Sequence, residues 1–528
     1  MASTDVLIIG AGWSGLSAAL RLSQAGRKVV VVEARQRIGG RAFTHSWNDD
    51  TTLNDTGRNV QQDAAAASSA ASTTYTCDFG CSWMHGYNEG SPLKALVERY
   101  GIEAHVPNPT KTVLVGDKGA LPADLATKIG ANLAAAQDAA RDLAQNRGST
   151  RPPASQSLAS FLLSPSSPLF DGLSSDEHRH AAGLARSLHV PLGATLEQVG
   201  LRFNGFEHNY AGTDAAPAGG FTRLIKKVAD EAISLGAEIR TGLVVDRIAL
   251  ADDGKSVVVS TRSSAGDAAA ETTTTNIEAK TAVCTIPLAV LKENVGIFKP
   301  SLPERRQAII SRTYVGNLNK VLLAYDEAWW DKEVGTFMVL PTRDAPSDAS
   351  SGSLQDLFAS TTLIVSSLCA PNGFPSSEPS PAGCGGGRSS SVSNSLLVMV
   401  GADAGKAIEA HDRVEVGRQL HAYLAQRLAA DGGAGKGPKH IFYSRWAKQP
   451  FTRGATTTPV VVGEDNSPLD FTELGRPLWE GRLGFAGEHT DQDHRGSAAG
   501  AYVSGEREAD RLLAFLNKHH AQAQQQKL

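Results

Sequence analysis

The feature that most constrains this chain is Gly10-Ala11-Gly12-Trp13-Ser14-Gly15, which follows the apolar run Thr4–Ile9 and precedes a stretch carrying Leu16, Ala19, Leu20 and Leu22 at helical spacing. A strand that runs through such a triplet into a helix needs each glycine for a different reason. Gly10 permits the tight turn, Gly12 lets the backbone approach a pyrophosphate, and Gly15 lets helix and strand pack closely. Trp13 and Ser14 open the helix, whose N-terminal N–H groups are available to an anion. The helix ends near Gly26, and Lys28 to Val32 form a second apolar strand ending at Glu33. An acid roughly twenty residues past the triplet is placed to accept hydrogen bonds from a ribose hydroxyl and argues against a 2′-phosphate. Strand, triplet, helix, strand and acid in register define a dinucleotide site near the N-terminus.

The rest of the chain bounds the architecture. Its 528 residues, 41% hydrophobic and 20% charged, can bury a large core and divide into two or more domains. A formal charge of -4 gives no general attraction to nucleic acid or to an anionic membrane, so neither partner is expected. Five scattered cysteines, Cys77, Cys81, Cys284, Cys369 and Cys384, suit a reducing compartment, and Cys77 and Cys81 read as half-buried thiols without metal partners. No run of about eighteen apolar residues occurs, and a strand begins directly after Met1. An intracellular, cytoplasmic protein without membrane span or leader is expected. Gln526-Lys527-Leu528 shares its last two residues with the peroxisomal Ser-Lys-Leu address, which leaves peroxisomal delivery open.

Residues 49 to 76 have no hydrophobic period and read as a surface insertion. Stretches 142 to 158, 262 to 276 and 343 to 394 are rich in Ser, Gly, Pro, Thr and Ala and read as extended loops, the last of them flexible. Between them, residues 239 to 261 form a hairpin turning at Asp252-Asp253-Gly254. Residues 281 to 286 and 396 to 400 form buried strands, and 411 to 430 a helix. No short-period repeat occurs. The pattern is that of a mixed α/β enzyme whose nucleotide-binding domain is assembled from separated stretches.

The continuation past Glu33 narrows the dinucleotide. Ala34-Arg35-Gln36-Arg37-Ile38-Gly39-Gly40-Arg41 places paired glycines, which permit backbone approach, beside an arginine that can neutralise phosphate. With Glu33, this run resembles the E-A-x-x-R-x-G-G-R motif of the flavin-dependent amine oxidase family. Four further segments extend the resemblance. Residues 78 to 86 (DFGCSWMHG) are similar to the family's G-A-S-W-x-H-G, residues 285 to 291 (TIPLAVL) to T-x-P-L-x-V-L, and residues 316 to 320 (GNLNK) to G-x-x-N-K. Phe485 to Thr490 (FAGEHT), followed by Gly500-Ala501 and Ser504-Gly505, is similar to the C-terminal F-A-G-E-H-T…G-A-x-x-S-G block.

The resemblance, strongest to the polyamine oxidases, implies a Rossmann-type FAD-binding domain made of residues 1–115, 219–300 and 446–520. Residues 116–218 and 301–445 would form an α+β substrate domain, and 521–528 a tail. It implies non-covalent FAD, because no cysteine after Cys384 is placed for the attachment seen in monoamine oxidases. Cofactor contacts are expected from Gly10, Gly12, Trp13, Ser14, Gly15, Glu33, Ala34, Arg35, Gly39, Gly40 and Arg41. Others are expected from Gly80, Ser82, Trp83, Val245, Trp446, Gly487, Glu488, Ser497 and Ala498.

The implied chemistry is hydride transfer from an amine α-carbon to flavin N5, hydrolysis of the imine, and reoxidation by oxygen with release of hydrogen peroxide. Lys320 would hold a water against flavin N5, with a pKa lowered by burial. His85 stands where yeast and animal polyamine oxidases carry histidine, and would hydrogen-bond a substrate nitrogen. Two positions depart from the family. Many relatives place aromatic residues on both sides of the amine, where this chain has Thr456 and Ser497. Aromatic faces attract an amine and exclude water, so a roomier pocket is expected, with Trp83 or Trp446 as another wall and His494 facing substrate or channel. Another amine oxidase, an L-amino-acid oxidase, a relative of histone demethylases and an FAD-binding protein without turnover remain alternatives.

Overall fold

The computed structural model describes residues 4–48, 74–107, 110–145, 151–264, 274–344, 352–369, 389–390, 392–429, 433 and 435–525. The expected insertion lies outside the described residues up to position 73, as do parts of the three expected loops, Cys384 and the terminal tripeptide.

The larger sheet has a parallel core in the order Glu238–Arg240, Val29–Val32, Thr4–Ile9, Thr275–Cys284, Leu483–Phe485. Its central strands are apolar on both faces because both are covered. Val6, Ile8, Val29 and Val31 pack against helices Trp13–Gln24, Gly220–Ser234 and Ala498–Gln525. Leu7, Ile9, Val30 and Val32 point the other way, toward Ile248, Val257, Val259 and Phe298. The first half of Thr275–Cys284 pairs antiparallel with Val257–Ser263, and that strand with Leu243–Leu250. This is the expected hairpin with one correction. Glu238–Arg240 leaves it to join the parallel edge, because Gly242, at φ +73°, breaks the strand and donates its N–H to Arg35 O.

The contact between helices Trp13–Gln24 and Ala498–Gln525 is unusually close. A Cβ on Gly505 would lie 2.0 Å from Ser17 Oγ and 2.1 Å from Ser14 O, so the last helix rests directly on the backbone of the first. Gly505→Ala is expected to push the two apart at a cost of about 1–3 kcal/mol. Chemical denaturation of the two proteins with matched m-values checks this.

A seven-stranded sheet forms the second layer, in the order His440–Tyr443, Leu318–Ala324, Ser395–Gly401, Leu363–Ser367, Val334–Val339, Lys111–Gly116, Gly119–Ala120. Helix Arg413–Leu428 covers one face through Val416, Leu420 and Leu424. The expected loop at 343–394 is corrected here. It contains helix Leu354–Ala359, capped by Ser353 and Asp356, and the interior strand Leu363–Ser367. Leu354, Leu357, Phe358, Leu363 and Val365 are buried, and this short apolar run was hidden between polar flanks. The expected loop at 142–158 likewise begins as the last turn of helix Ala123–Gln145. Among the described residues no helix is long and apolar enough to cross a membrane, and no group of His, Cys, Asp and Glu is arranged to hold a metal ion.

Candidate active site

At the end of Thr4–Ile9 the triplet takes up the geometry its glycines require. Gly10 sits at φ +106°, and a Cβ on Gly15 would fall 1.9 Å from Gly10 O. A Cβ on Gly12 would meet nothing within 4 Å, so this backbone borders open space at a helix N-terminus with no side-chain cap. Trp13 and Ser14 are buried, the Trp13 ring lying edge-on to Phe221 and Tyr502. Glu33 is oriented by two backbone donors, Ala11 N–H on Oε2 and Arg35 N–H on Oε1, each at 2.9 Å. Leu243 N–H donates to Glu33 O, which brings the strand bearing Val245 alongside.

Arg35 is buried at 4% exposure, and its Nε and Nη2 meet no hydrogen-bond partner among the described residues. Its nearest carboxylate, Glu33, is 3.9 Å away, and burial lowers its pKa. A buried guanidinium with spare donors beside an uncapped helix N-terminus fits a diphosphate-bearing ligand.

The second layer contributes through strand alternation. Lys320 points to the same face of Leu318–Ala324 as Leu322 and Ala324, which pack against the hairpin of Thr44–Asn48 and Thr74–Asp78. Its Nζ donates to Asp78 O at 2.9 Å, to Gly80 O at 2.8 Å and to Ser82 Oγ. Trp446 Nε1 donates to the intervening Phe79 O at 3.3 Å. Three successive carbonyls of this segment are therefore gripped from one side. Burial pulls the Lys320 pKa down, as expected, while the neighbouring Cys77 and Asp78 oppose the shift. The three contacts account for all three N–H donors of an ammonium, so a water at Nζ must take the place of one.

Asp78 turns its carboxylate away from Lys320 to accept Thr44 Oγ1 at 2.5 Å and Phe221 N–H at 3.1 Å, capping helix Gly220–Ser234. Burial pushes this carboxyl up to about 6. Cys77 and Cys81 are also pushed up, to about 12, so both stay thiols.

Asn319 faces the opposite side of the strand. Its Nδ2 donates to Glu409 Oε1 at 2.7 Å, and its Oδ1 accepts Ser444 Oγ and Trp446 N–H. Glu409, 1% exposed, also accepts Ala447 and Lys448 N–H and so fixes the turn that carries Trp446. Glu409 carries no sequence motif; an acid between Ile408 and Ala410 on an otherwise apolar turn is its only trace.

Glu488 joins the first and last stretches of the chain. Its Oε1 accepts Arg41 Nη1 at 2.8 Å and Thr457 Oγ1 at 2.9 Å, and its Oε2 accepts Gly496 N–H at 2.9 Å. Burial works against its charge, but Arg41 beside it holds the carboxyl below the usual range. Around this node the two non-aromatic positions come together. Thr456 Oγ1 faces Gly496 O at 3.4 Å, and Ser497 Oγ donates to His494 O and accepts Gly500 N–H, capping the helix that begins at Ala498. His494 stacks on Tyr210, centroids 4.3 Å apart, with Nδ1 3.1 Å from Asp491 Oδ1. At the rim, His85 Nδ1 meets Asp214 Oδ2 at 2.8 Å, the two side chains 58% and 42% exposed. Trp83 is half-buried on the same segment.

The flavin-containing amine oxidoreductase family model matches residues 13–513. The chain belongs to this family. Its cofactor is FAD, and the open space at Gly12 and the spare donors of Arg35 fit that dinucleotide. The chain is 26% identical over 516 residues to lysine-specific histone demethylase 1 homolog 1 of Oryza sativa subsp. japonica, covering 96% of this chain and 52% of that protein. It thus spans about half the length of that relative. It is 24% identical over 529 residues to probable polyamine oxidase 4 of Arabidopsis thaliana, covering 95% of this chain and 85% of that protein. Its fold is similar to that of cyclohexylamine oxidase from Brevibacterium oxydans IH-35A, with TM-score 0.66 and 18% identity over 98% of this chain and 100% of that one.

Burial also holds His489, 2% exposed, down at about 4 against an ordinary 6.5. A base with a depressed folded pKa contributes stability that is full above the unfolded value and is lost as pH falls through the folded one. A shift of this size corresponds to about 3 kcal/mol. The melting temperature is therefore expected to fall between pH 6.5 and 4, with part of that slope absent in His489→Gln; equal slopes would remove His489 from the acid response.

Proposed function

We propose that the chain oxidises polyamines, namely spermine, spermidine or their acetylated forms, to an aldehyde and a smaller amine with release of hydrogen peroxide. Bound FAD supplies the hydride acceptor and returns the electrons to oxygen. The protein's part is to place the amine and keep competing reactions out. Lys320 and Trp446 hold the 78–82 segment in one conformation, so the reacting end is defined by rigid backbone. The observation that carries the polyamine reading is the His85–Asp214 pair. It sets a half-exposed carboxylate against His85, three residues past the end of that segment, where a substrate with a second positive charge is matched and a neutral tail is not.

A second reading draws on Thr456 and Ser497. Both hydroxyls are directed at backbone carbonyls, and neither residue narrows the pocket with a ring, which favours a bulkier amine such as a lysine side chain or an L-amino acid.

The test is anaerobic mixing of the yellow protein with spermine, spermidine, acetylated polyamines, simple monoamines and L-amino acids. Bleaching of the flavin by polyamines in preference to the others is expected. Bleaching only by amino acids favours the second reading, and no bleaching with FAD still bound would overturn both in favour of an FAD-binding protein without turnover.

A further inference from the structure

We propose that Tyr210 is the aromatic wall of the substrate pocket, doing there what aromatic residues at 456 and 497 do in relatives, and that it selects for amines with a second cationic nitrogen. This rests on the amine-oxidase reading above. Tyr210 lies in 204–214, a segment with no family motif, yet it touches both ends of the candidate site. Its ring stacks on His494 at 4.3 Å and 17° between planes. Its carbonyl fills the space beside Gly86, where a Cβ would fall 2.1 Å away, one residue past His85. Gly86, at φ +60°, is thus the position that admits the Tyr210 backbone.

The segment that carries the ring is anchored on both sides of Tyr210. Glu207 pairs with Arg495 at 2.6 Å, with side chains only 14% and 12% exposed, and Tyr87 N–H donates to Thr213 O. Arg495 also donates to Thr457 O, next to Thr456. Tyr210 is itself half-buried and so is not sealed into the core. The ring stacks on His494, which meets Asp491, and the Tyr210 backbone abuts Gly86, whose N–H donates to Asp214; a π-system and two carboxylates in one neighbourhood have the composition of an ammonium site.

The experiment is anaerobic titration of the FAD-loaded protein, following flavin absorbance to obtain Kd and the limiting reduction rate separately, with spermidine and with hexylamine as probes. Tyr210→Leu keeps the bulk and removes the ring; Tyr210→Phe keeps the ring. Tyr210→Leu is expected to weaken spermidine about tenfold, equivalent to about 1.4 kcal/mol, and hexylamine far less, with affinity falling more than the limiting rate. Tyr210→Phe is expected to restore spermidine binding. An unchanged spermidine Kd in Tyr210→Leu, or an equal loss for both probes, overturns the assignment while leaving the amine-oxidase reading in place. If the wild-type flavin responds to neither probe, nor to any other amine, both fall together.

Discussion

Replacing Lys320 by methionine is expected to slow flavin turnover by about a hundredfold or more and to lower stability at the same time. The second effect follows from geometry. Nζ is the donor for Asp78 O and Gly80 O, and the thioether cannot replace either bond. A buried acceptor left without a partner costs about 1–3 kcal/mol, and the segment so released is the one Trp446 holds from the neighbouring position. Stopped-flow reduction by amine and reoxidation by oxygen, run beside thermal unfolding, separate the two effects. Rates within twofold of wild type would remove Lys320 from the chemistry, and an unchanged melting temperature would remove it from the scaffold.

The other large effect is expected at Glu488. Glu488→Ala removes the carboxylate partner of Arg41, leaving it Ala455 O, and leaves Thr457 Oγ1 and Gly496 N–H without their acceptor. Breaking a buried ion pair by deleting one partner costs about 3–5 kcal/mol. Because the node ties the Gly39-Gly40-Arg41 turn to the start of the last helix, the loss should show as weakened FAD retention by about a hundredfold or more, that is about 2.7 kcal/mol. Fluorescence of released flavin during dilution measures this; FAD retention equal to wild type would show that the node does not hold the cofactor site. Glu488→Gln should fall between the two, since an amide can accept from Arg41 but presents a second donor to Gly496 N–H. Acid should act in the same direction. The folded pKa lies below the ordinary value, so the stabilisation is full above the unfolded carboxyl's pKa of about 4.3 and is lost as pH falls through the folded one. FAD release should therefore steepen below about pH 4 in wild type, and Glu488→Gln should lack that steepening.

The two ends of the site differed in how far they could be read without coordinates. The strand-to-helix turn depends on backbone approach, a property written into contiguous glycines, so the local geometry of Gly10, Gly12, Gly15 and Glu33 was legible in order. The proposed reacting end was marked in the sequence only where a family motif ran through it, at Lys320 and His85. Asp214, Tyr210 and Glu207 lie in a motif-free segment, and Glu409 in an unremarkable helix turn. Their partners are 129, 284, 288 and 90 positions away: His85, His494, Arg495 and Asn319. Local composition also misled at 343–394, where polar flanks concealed a helix and an interior strand.

The amino-acid sequence by itself determined that a Rossmann-type unit opens the chain, that separated stretches complete it, and that its ligand is FAD. The first two rest on short-range constraints of glycine geometry, strand and helix period, and an acid at fixed spacing; the third rests on the resemblance of residues 33–41 and 485–505 to the motifs of the flavin-dependent amine oxidases. Tertiary structure alone decided that Lys320 spends its donors on two carbonyls and one hydroxyl of the 78–82 segment and that Ser497 caps a helix. It also decided that the Tyr210 ring stacks on His494, 284 positions away. The Lys320 and Tyr210 contacts are pairings between residues far apart in sequence, and such pairings arise only once the chain has packed.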